Sequence, residues 1–184
     1  MLLLKRGGAG LLALLGLHSV QADELAVGSP APKFTLMDQA SKTHALAEYR
    51  GRWVVLYFYP KDDTPGCTTE ACNFRDDLPA LRALNVQILG ISLDDTKSHA
   101  LFAEKYSLPF PLLADTEGEV ARAYGALWSI GPLRIAKRYT FLIDPEGRVA
   151  KIYRDVKPAT HSRELQQDLK ELQKGQSGTR KPVS

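Results

Sequence analysis

WVVLYFYPKDDTPGCTTEACNFRDD, residues 53–77, is the stretch whose reading decides the fold. It opens with Trp53–Tyr59, seven apolar or aromatic residues without a polar interruption. That pattern belongs to a strand buried on both faces, and it is too short for an independent helix. Pro60 stops the run, and Asp62-Asp63-Thr64-Pro65-Gly66 is turn chemistry. Helix formers resume at Cys67. Thr68, Thr69 and Glu70 follow in what reads as the first turn, where polar and acidic residues suit unpaired amides. Glu70 is read there as a surface residue that complements the helix dipole. Cys67 thus stands where a buried strand hands over to a helix N-terminus, a place where the dipole and free backbone N–H groups favour a thiolate. The plainer reading of Cys67 is a small buried hydrophobe, as free cysteine often is.

The rest of the chain alternates around this unit. The helix from Cys67 carries Ala71, Phe74 and Leu78 at helical spacing until Pro79 interrupts it, and Asp77 is placed to cap a second segment, Pro79–Leu84. Val86–Leu93 reads as a second buried strand, Lys97–Tyr106 as an amphipathic helix, Leu112–Ala114 as a short strand and Gly118–Tyr124 as a brief helix. Leu127–Ala136, with Gly131-Pro132 inside it, reads as a loop. Arg138–Ile143 and Arg148–Tyr153 flank the turn Asp144-Pro145-Glu146-Gly147 as a hairpin, and Ser162–Gln173 is the last helix. Upstream, Phe34-Thr35-Leu36 and Thr43-His44-Ala45 form a short hairpin, and Ala47–Gly51 a helical turn closed by glycine. This order predicts an α/β domain, with a mixed parallel-then-antiparallel sheet covered by helices and no internal repeat.

Composition bounds the function. A chain of 184 residues with 44% hydrophobic and 24% charged residues suits one soluble domain with a sizeable core. Residues 1–22 read as a secretory signal, with Lys5-Arg6, an apolar run over 10–20 and a Val20-Gln21-Ala22 cleavage site. Residues 23–174 are then the domain, and 175–184 a disordered polar tail. Losing Lys5 and Arg6 takes the net charge from +3 to +1, so the basic pI is no argument for nucleic acid. The expected destination is the periplasm, after cleavage following Ala22 and without stable membrane association; an uncleaved membrane anchor is the alternative. Two cysteines permit one intramolecular disulfide, and with four scattered histidines they make a poor zinc site.

The spacing of Pro60, Thr64 and Cys67, P-x-x-x-T-x-x-C, resembles the active-site motif of the peroxiredoxins. The longer string YFYPKDDTPGCTTEAC is similar to their Q-type branch, the bacterioferritin comigratory proteins, and the similarity runs from about Val27 to about Leu172. The resemblance implies a thioredoxin-like fold with an added N-terminal hairpin. It implies a monomeric thiol peroxidase reducing H2O2 and organic hydroperoxides, without metal, haem or flavin. Cys67 would attack the O–O bond and become a sulfenic acid. Pro60 would shield the pocket, and the Gly66 and Cys67 amides would donate to the peroxide. The Thr64 hydroxyl could lie near both sulfur and substrate, or simply cap the helix.

Arg138, before Phe141-Leu142-Ile143-Asp144, matches the family's catalytic arginine; strand alternation puts Lys137 on the opposite face, and a solvent-facing Arg138 is the alternative. Cys72, five residues beyond Cys67, matches the branch's resolving cysteine. In an intact helix the two Cα atoms would be about 8–9 Å apart, beyond the ~7 Å reach of a disulfide, so bonding requires local unwinding. Otherwise Cys72 is a buried helix residue and an external thiol does its work. The branch is commonly cytoplasmic, so an exported member needs an envelope thioredoxin-like protein or a low-molecular-weight thiol as reductant. Two other functions compete. A thiol–disulfide oxidoreductase acting on envelope proteins would ordinarily use C-x-x-C rather than this C-x-x-x-x-C. A binding module or holdase would be indifferent to cysteine substitution.

Overall fold

The structure is a computed structural model that describes residues 25–179. The expected signal at 1–22 and the end of the tail, 180–184, lie outside the described residues. In chain order the first elements are β1 (Thr35–Met37), β2 (Thr43–Ala45), a 3-10 turn (Leu46–Tyr49), β3 (Trp53–Phe58), α1 (Pro65–Asp76), α2 (Leu78–Ala83) and β4 (Val86–Ser92). They are followed by α3 (Thr96–Tyr106), β5 (Leu112–Ala114), α4 (Glu119–Ala123), β6 (Leu127–Ile130), β7 (Leu133–Ala136), β8 (Thr140–Ile143), β9 (Val149–Tyr153) and α5 (His161–Thr179).

The central sheet has five strands in the order β5-β4-β3-β8-β9. β3, β4 and β5 are parallel, β8 pairs antiparallel with β3, and β9 pairs antiparallel with β8. β3 lies in the middle, and all six of its residues are buried. Its side chains alternate between two cores. Trp53, Val55 and Tyr57 pack with Ala71 and Phe74 of α1, Leu81 of α2 and Leu165 of α5. Val54, Leu56 and Phe58 pack on the other face with Phe34, Val120, Ala121 and Tyr124. A strand covered on both faces has no solvent side on which to place polar residues, so it reads as an unbroken apolar run. Each large side chain buried this way contributes about 1.5–3 kcal/mol. This is the expected thioredoxin-like α/β arrangement, with the β1–β2 hairpin as its N-terminal addition.

Several expectations need correction. Residues 127–136 are a hairpin, not a loop: β6 pairs antiparallel with β7, from Leu127↔Ala136 to Ile130↔Leu133 across Gly131 at φ 56°. Its outer residues Ile130 and Leu133 are exposed, so no burial pattern marks the strands, and Gly-Pro at the turn masks their length. The first helix begins at Pro65, because proline's fixed φ suits the first helical position. β8 begins at Thr140, leaving Arg138 in a bend where the Tyr139 amide bonds the Lys137 carbonyl at 2.9 Å. Asp77 precedes α2 but makes no side-chain cap; its carboxylate accepts from Ser162 Oγ at 2.7 Å instead. α5 continues past Gln173 and Gly175 to Thr179, into the segment expected to be disordered.

Gly90 of β4 sits opposite Tyr57 in register. A Cβ there would lie 2.7 Å from the Tyr57 hydroxyl oxygen and 2.9 Å from Leu112 Cδ2. Gly90→Ala should therefore destabilise the fold by about 1–3 kcal/mol through overpacking. Urea unfolding should show a lower midpoint at unchanged m-value; an unchanged midpoint would contradict this packing.

Candidate active site

The site lies past the C-terminal end of β3, where ligands commonly bind in sheets of parallel strands. After half-buried Pro60, the turn is fastened to α3 by two carboxylates. Asp62 accepts from Ser98 Oγ and His99 Nδ1, and Asp63 accepts from Lys105 Nζ at 2.7 Å and the Tyr106 hydroxyl at 2.6 Å. Asp63 adopts the left-handed conformation, φ 56°, which aspartate tolerates better than most residues. These ties were not legible beyond "turn", since acidic turn residues carry no mark of a distant partner.

Thr64 occupies the N-cap position of α1, and its carbonyl accepts the first helical bond, from the Thr68 amide at 2.8 Å. Its hydroxyl makes no capping bond and donates to the Lys61 carbonyl at 3.0 Å. With that proton committed, the oxygen's lone pairs are free to accept from a substrate O–H. The amides of Gly66 and Cys67 precede the first helical bond, so the helix itself supplies them no acceptor.

Cys67 is a free thiol, 1% exposed, and its Sγ accepts a hydrogen bond from Arg138 Nη2 at 3.2 Å. The other terminal nitrogen, Nη1, donates to Glu70 Oε2. Gly66 makes room for this fork, because a Cβ there would lie 3.2 Å from Nη2. Lys137 does not compete; its Nζ reaches the Gly125 carbonyl and lies 5.4 Å from the centre of the Tyr139 ring. The solvent-facing alternative for Arg138 is thereby overturned. Burial alone would draw down the Arg138 pKa, but Glu70 and Cys67 outweigh it and hold the guanidinium above its ordinary value.

Glu70 departs from its expected place. It lies in the second turn of a helix that starts at Pro65, it is 1% exposed, and it faces Arg138. Burial pushes its carboxyl up to about 7 against the pull of Arg138. Its Oε1 meets no hydrogen-bond partner among the described residues. An acid near a helix start ordinarily faces water, and only the partner 68 residues away explains this one. Cys72 is free and half-buried in the intact α1, five residues from Cys67. Among the described residues, no group of three or more His, Cys, Asp or Glu could hold a metal ion.

A buried sulfur at a helix head, held against a fixed guanidinium on a thioredoxin-like sheet, defines a cysteine-based redox enzyme. Residues 27–152 match the AhpC/TSA family. The chain is 43% identical over 152 residues to peroxiredoxin Bcp of Bacillus subtilis (strain 168), covering 79% of this chain and 96% of that one. It is 39% identical to the chloroplastic peroxiredoxin Q of Oryza sativa subsp. japonica, over 89% of this chain and 76% of that one. PrxQ of Xylella fastidiosa, solved as a cysteine-to-serine mutant, superposes with a TM-score of 0.76 at 34% identity, covering 81% and 98% of the two chains. The chain therefore belongs to the AhpC/TSA family as a peroxiredoxin of the Bcp/Q kind, a thiol-dependent peroxidase.

The Glu70 carboxyl makes stability pH-dependent in a definite direction. Its folded pKa, about 7, lies above the ordinary 4.5, so its stabilising protonation is complete below 4.5 and lost as pH rises to 7. Relative to Glu70→Gln, the wild type should lose stability across pH 4.5–7 at up to roughly 1.4 kcal/mol per pH unit, then level off. Parallel denaturation curves that keep a constant gap would contradict the assignment.

Proposed function

We propose that the protein reduces H2O2 and organic hydroperoxides through a sulfenic acid on Cys67, which Cys72 resolves as an intrachain disulfide. The observation that carries this is the Arg138 Nη2 contact with Cys67 Sγ at the head of α1. The guanidinium stabilises negative charge on the sulfur, and its forked N–H groups suit an incoming peroxide oxygen. Sulfur attacks the outer oxygen: the S–O bond forms, the O–O bond breaks, and hydroxide or alkoxide leaves and takes up a proton. The Gly66 and Cys67 amides, with Arg138, are placed to stabilise charge as it develops on these oxygens. Thr64 accepts the hydrogen bond of the peroxide's O–H, and Pro60 walls the pocket. Organic hydroperoxides as substrates are supported by the bacterioferritin comigratory protein of Xanthomonas campestris, 36% identical with a TM-score of 0.72, which has alkyl peroxide reduction activity.

In the continuous helix Pro65–Asp76, Cys67 and Cys72 cannot bond. Their Cα atoms are separated by about 8–9 Å, against a limit of ~7 Å. The helix beyond Cys72 is tied down: Asn73 Nδ2 donates to the Pro158 carbonyl at 3.0 Å, and Arg75 Nη1 to the Tyr106 carbonyl at 2.7 Å. The segment that unwinds is therefore 65–72. The Cys72 thiolate attacks the Cys67 sulfur, the S–S bond forms, and hydroxide leaves as water with one proton. A thioredoxin-like dithiol or a low-molecular-weight thiol then reduces the disulfide. The protein works as an exported monomer, the export resting on the signal read at residues 1–22 and the monomer on an intrachain resolving step that needs no second subunit.

Cys67→Ser should abolish peroxide consumption, and Cys72→Ser should accumulate one dimedone-reactive sulfenic acid per chain. Rapid turnover of Cys72→Ser with a thioredoxin-like donor at the wild-type rate would overturn the resolving step. Arg138→Ala should lower the second-order rate constant for Cys67 oxidation roughly 10²–10³-fold, as read by quenched-flow alkylation. Retention of the wild-type constant would contradict the role given to the guanidinium.

A further inference from the structure

The turn that presents Thr64 and Cys67 is anchored by a carboxylate that takes no part in the chemistry. Asp62 accepts three side-chain hydrogen bonds: from the Tyr59 hydroxyl at 2.8 Å on Oδ1, and from Ser98 Oγ at 2.7 Å and His99 Nδ1 at 2.8 Å on Oδ2. Its own amide donates to Asp94 Oδ2 at 2.9 Å, the oxygen that also accepts from Ser92 Oγ at 2.7 Å. Asp62 is 7% exposed and His99 fully buried. His99 Nε2 meets no partner among the described residues. A carboxylate oxygen accepts, so the hydrogen of the His99–Asp62 contact is on Nδ1. Nδ1 then donates to Asp62 at 2.8 Å, with the Tyr59 hydroxyl a longer contact of the same nitrogen at 3.4 Å. At the far end of α3, Lys105 and Tyr106 hold Asp63. Residues seven apart share a helix face, so one face of α3 grips the turn at two points.

We infer that His99 and Asp62 are positioning residues for the peroxidase reaction, keeping turn 60–64 fixed on α3 while α1 unwinds and rewinds beyond it. This rests on the reading of Cys67 and Cys72 given above. Each turnover opens residues 65–72, directly after the turn. With the turn pinned, Thr64 and the Gly66 amide return to the same place when the helix re-forms. Without His99, Asp62 keeps a buried charge with too few donors, and the turn must shift to rehydrate it. Opening then spreads backwards into the turn, which makes the attacking geometry rarer and the open form commoner.

The test separates the two half-reactions by rapid quenching, alkylation and mass spectrometry. Oxidation of Cys67 by H2O2 is timed in a Cys72→Ser background, and disulfide formation is timed with both cysteines present. His99→Leu should slow oxidation roughly 10-fold, the order expected when reacting groups are misplaced by a fraction of an ångström, while disulfide formation quickens. His99→Asn, whose Nδ2 can donate where Nδ1–H does, should recover most of the oxidation rate. A merely structural histidine would lower the melting temperature and leave both rates unchanged. Folded His99→Leu oxidising at the wild-type rate overturns the inference, as does equal slowness of His99→Leu and His99→Asn. Should His99→Leu not fold, Ser98→Ala and Tyr59→Phe each remove one donor from the same carboxylate; wild-type oxidation rates in both would overturn it equally. If the two-cysteine protein forms no disulfide, the resolving reading fails, and the oxidation comparison still decides His99.

Discussion

The guanidinium of Arg138, shared between the sulfur of Cys67 and the buried carboxyl of Glu70, is the contact on which the site depends. It joins two parts of the chain about seventy residues apart. The fold delivers it by backbone bonding at the sheet's centre: the Phe58 amide, at the end of β3, donates to the Tyr139 carbonyl at 2.8 Å. That bond sets the segment carrying Arg138 beside the strand that leads into the reactive turn. Burying a carboxyl against this cation is costly unless both are well paired. The raised pKa of Glu70 is the trace of that cost. Because Glu70 titrates near neutrality, the cation facing Cys67 is least neutralised when Glu70 is protonated.

Two mechanical demands meet within a few residues. In the proposed reaction the turn before Cys67 stays rigid to hold a peroxide in line, and the helix after it opens for Cys72 to reach the oxidised sulfur. The packing divides the work. Asp62 and Asp63 bind the turn to α3, while Asn73 and Arg75 bind the second half of α1 to Pro158 and Tyr106. Between these anchors lie about two helical turns whose own stability is modest. A helix of only twelve residues is marginal without tertiary packing, and α2, with Pro79 near its start, does not extend it. Opening this segment would expose Cys67, Glu70 and Ala71, each 1% exposed in the intact helix, so the anchors on either side set how far it spreads.

Much of this was legible in residues 53–77. An unbroken apolar run reads as a doubly covered strand, and the residues after Pro60 read as a turn into a helix, although that helix already takes in Pro65 and Gly66. The elements around it followed from hydrophobic period and turn residues. Most of what local pattern missed has one cause, a partner distant in sequence. Glu70 reads as a surface acid until Arg138 stands against it, Asp77 as a cap until Ser162 competes for its carboxylate, and Asp62 as a turn former until His99 appears. The hairpin at 127–136 escaped for another reason. Its strands have four residues each, and their outer halves face water, so no alternation separates them from a loop. The choice of Arg138 over Lys137 rested on family resemblance, and its geometry comes from a bend rather than from strand alternation.

The central claim is that one sulfur meets the peroxide and the other, out of reach in the intact helix, completes the reaction within the same chain. It is tested most directly by giving the reduced protein one equivalent of H2O2, counting free thiols and mapping the product by mass spectrometry. The account predicts loss of both thiols and a single intrachain bond between Cys67 and Cys72, with rapid hydrogen exchange appearing over residues 65–72. Consumption of peroxide with Cys72 still free, or a disulfide between two chains, would contradict it.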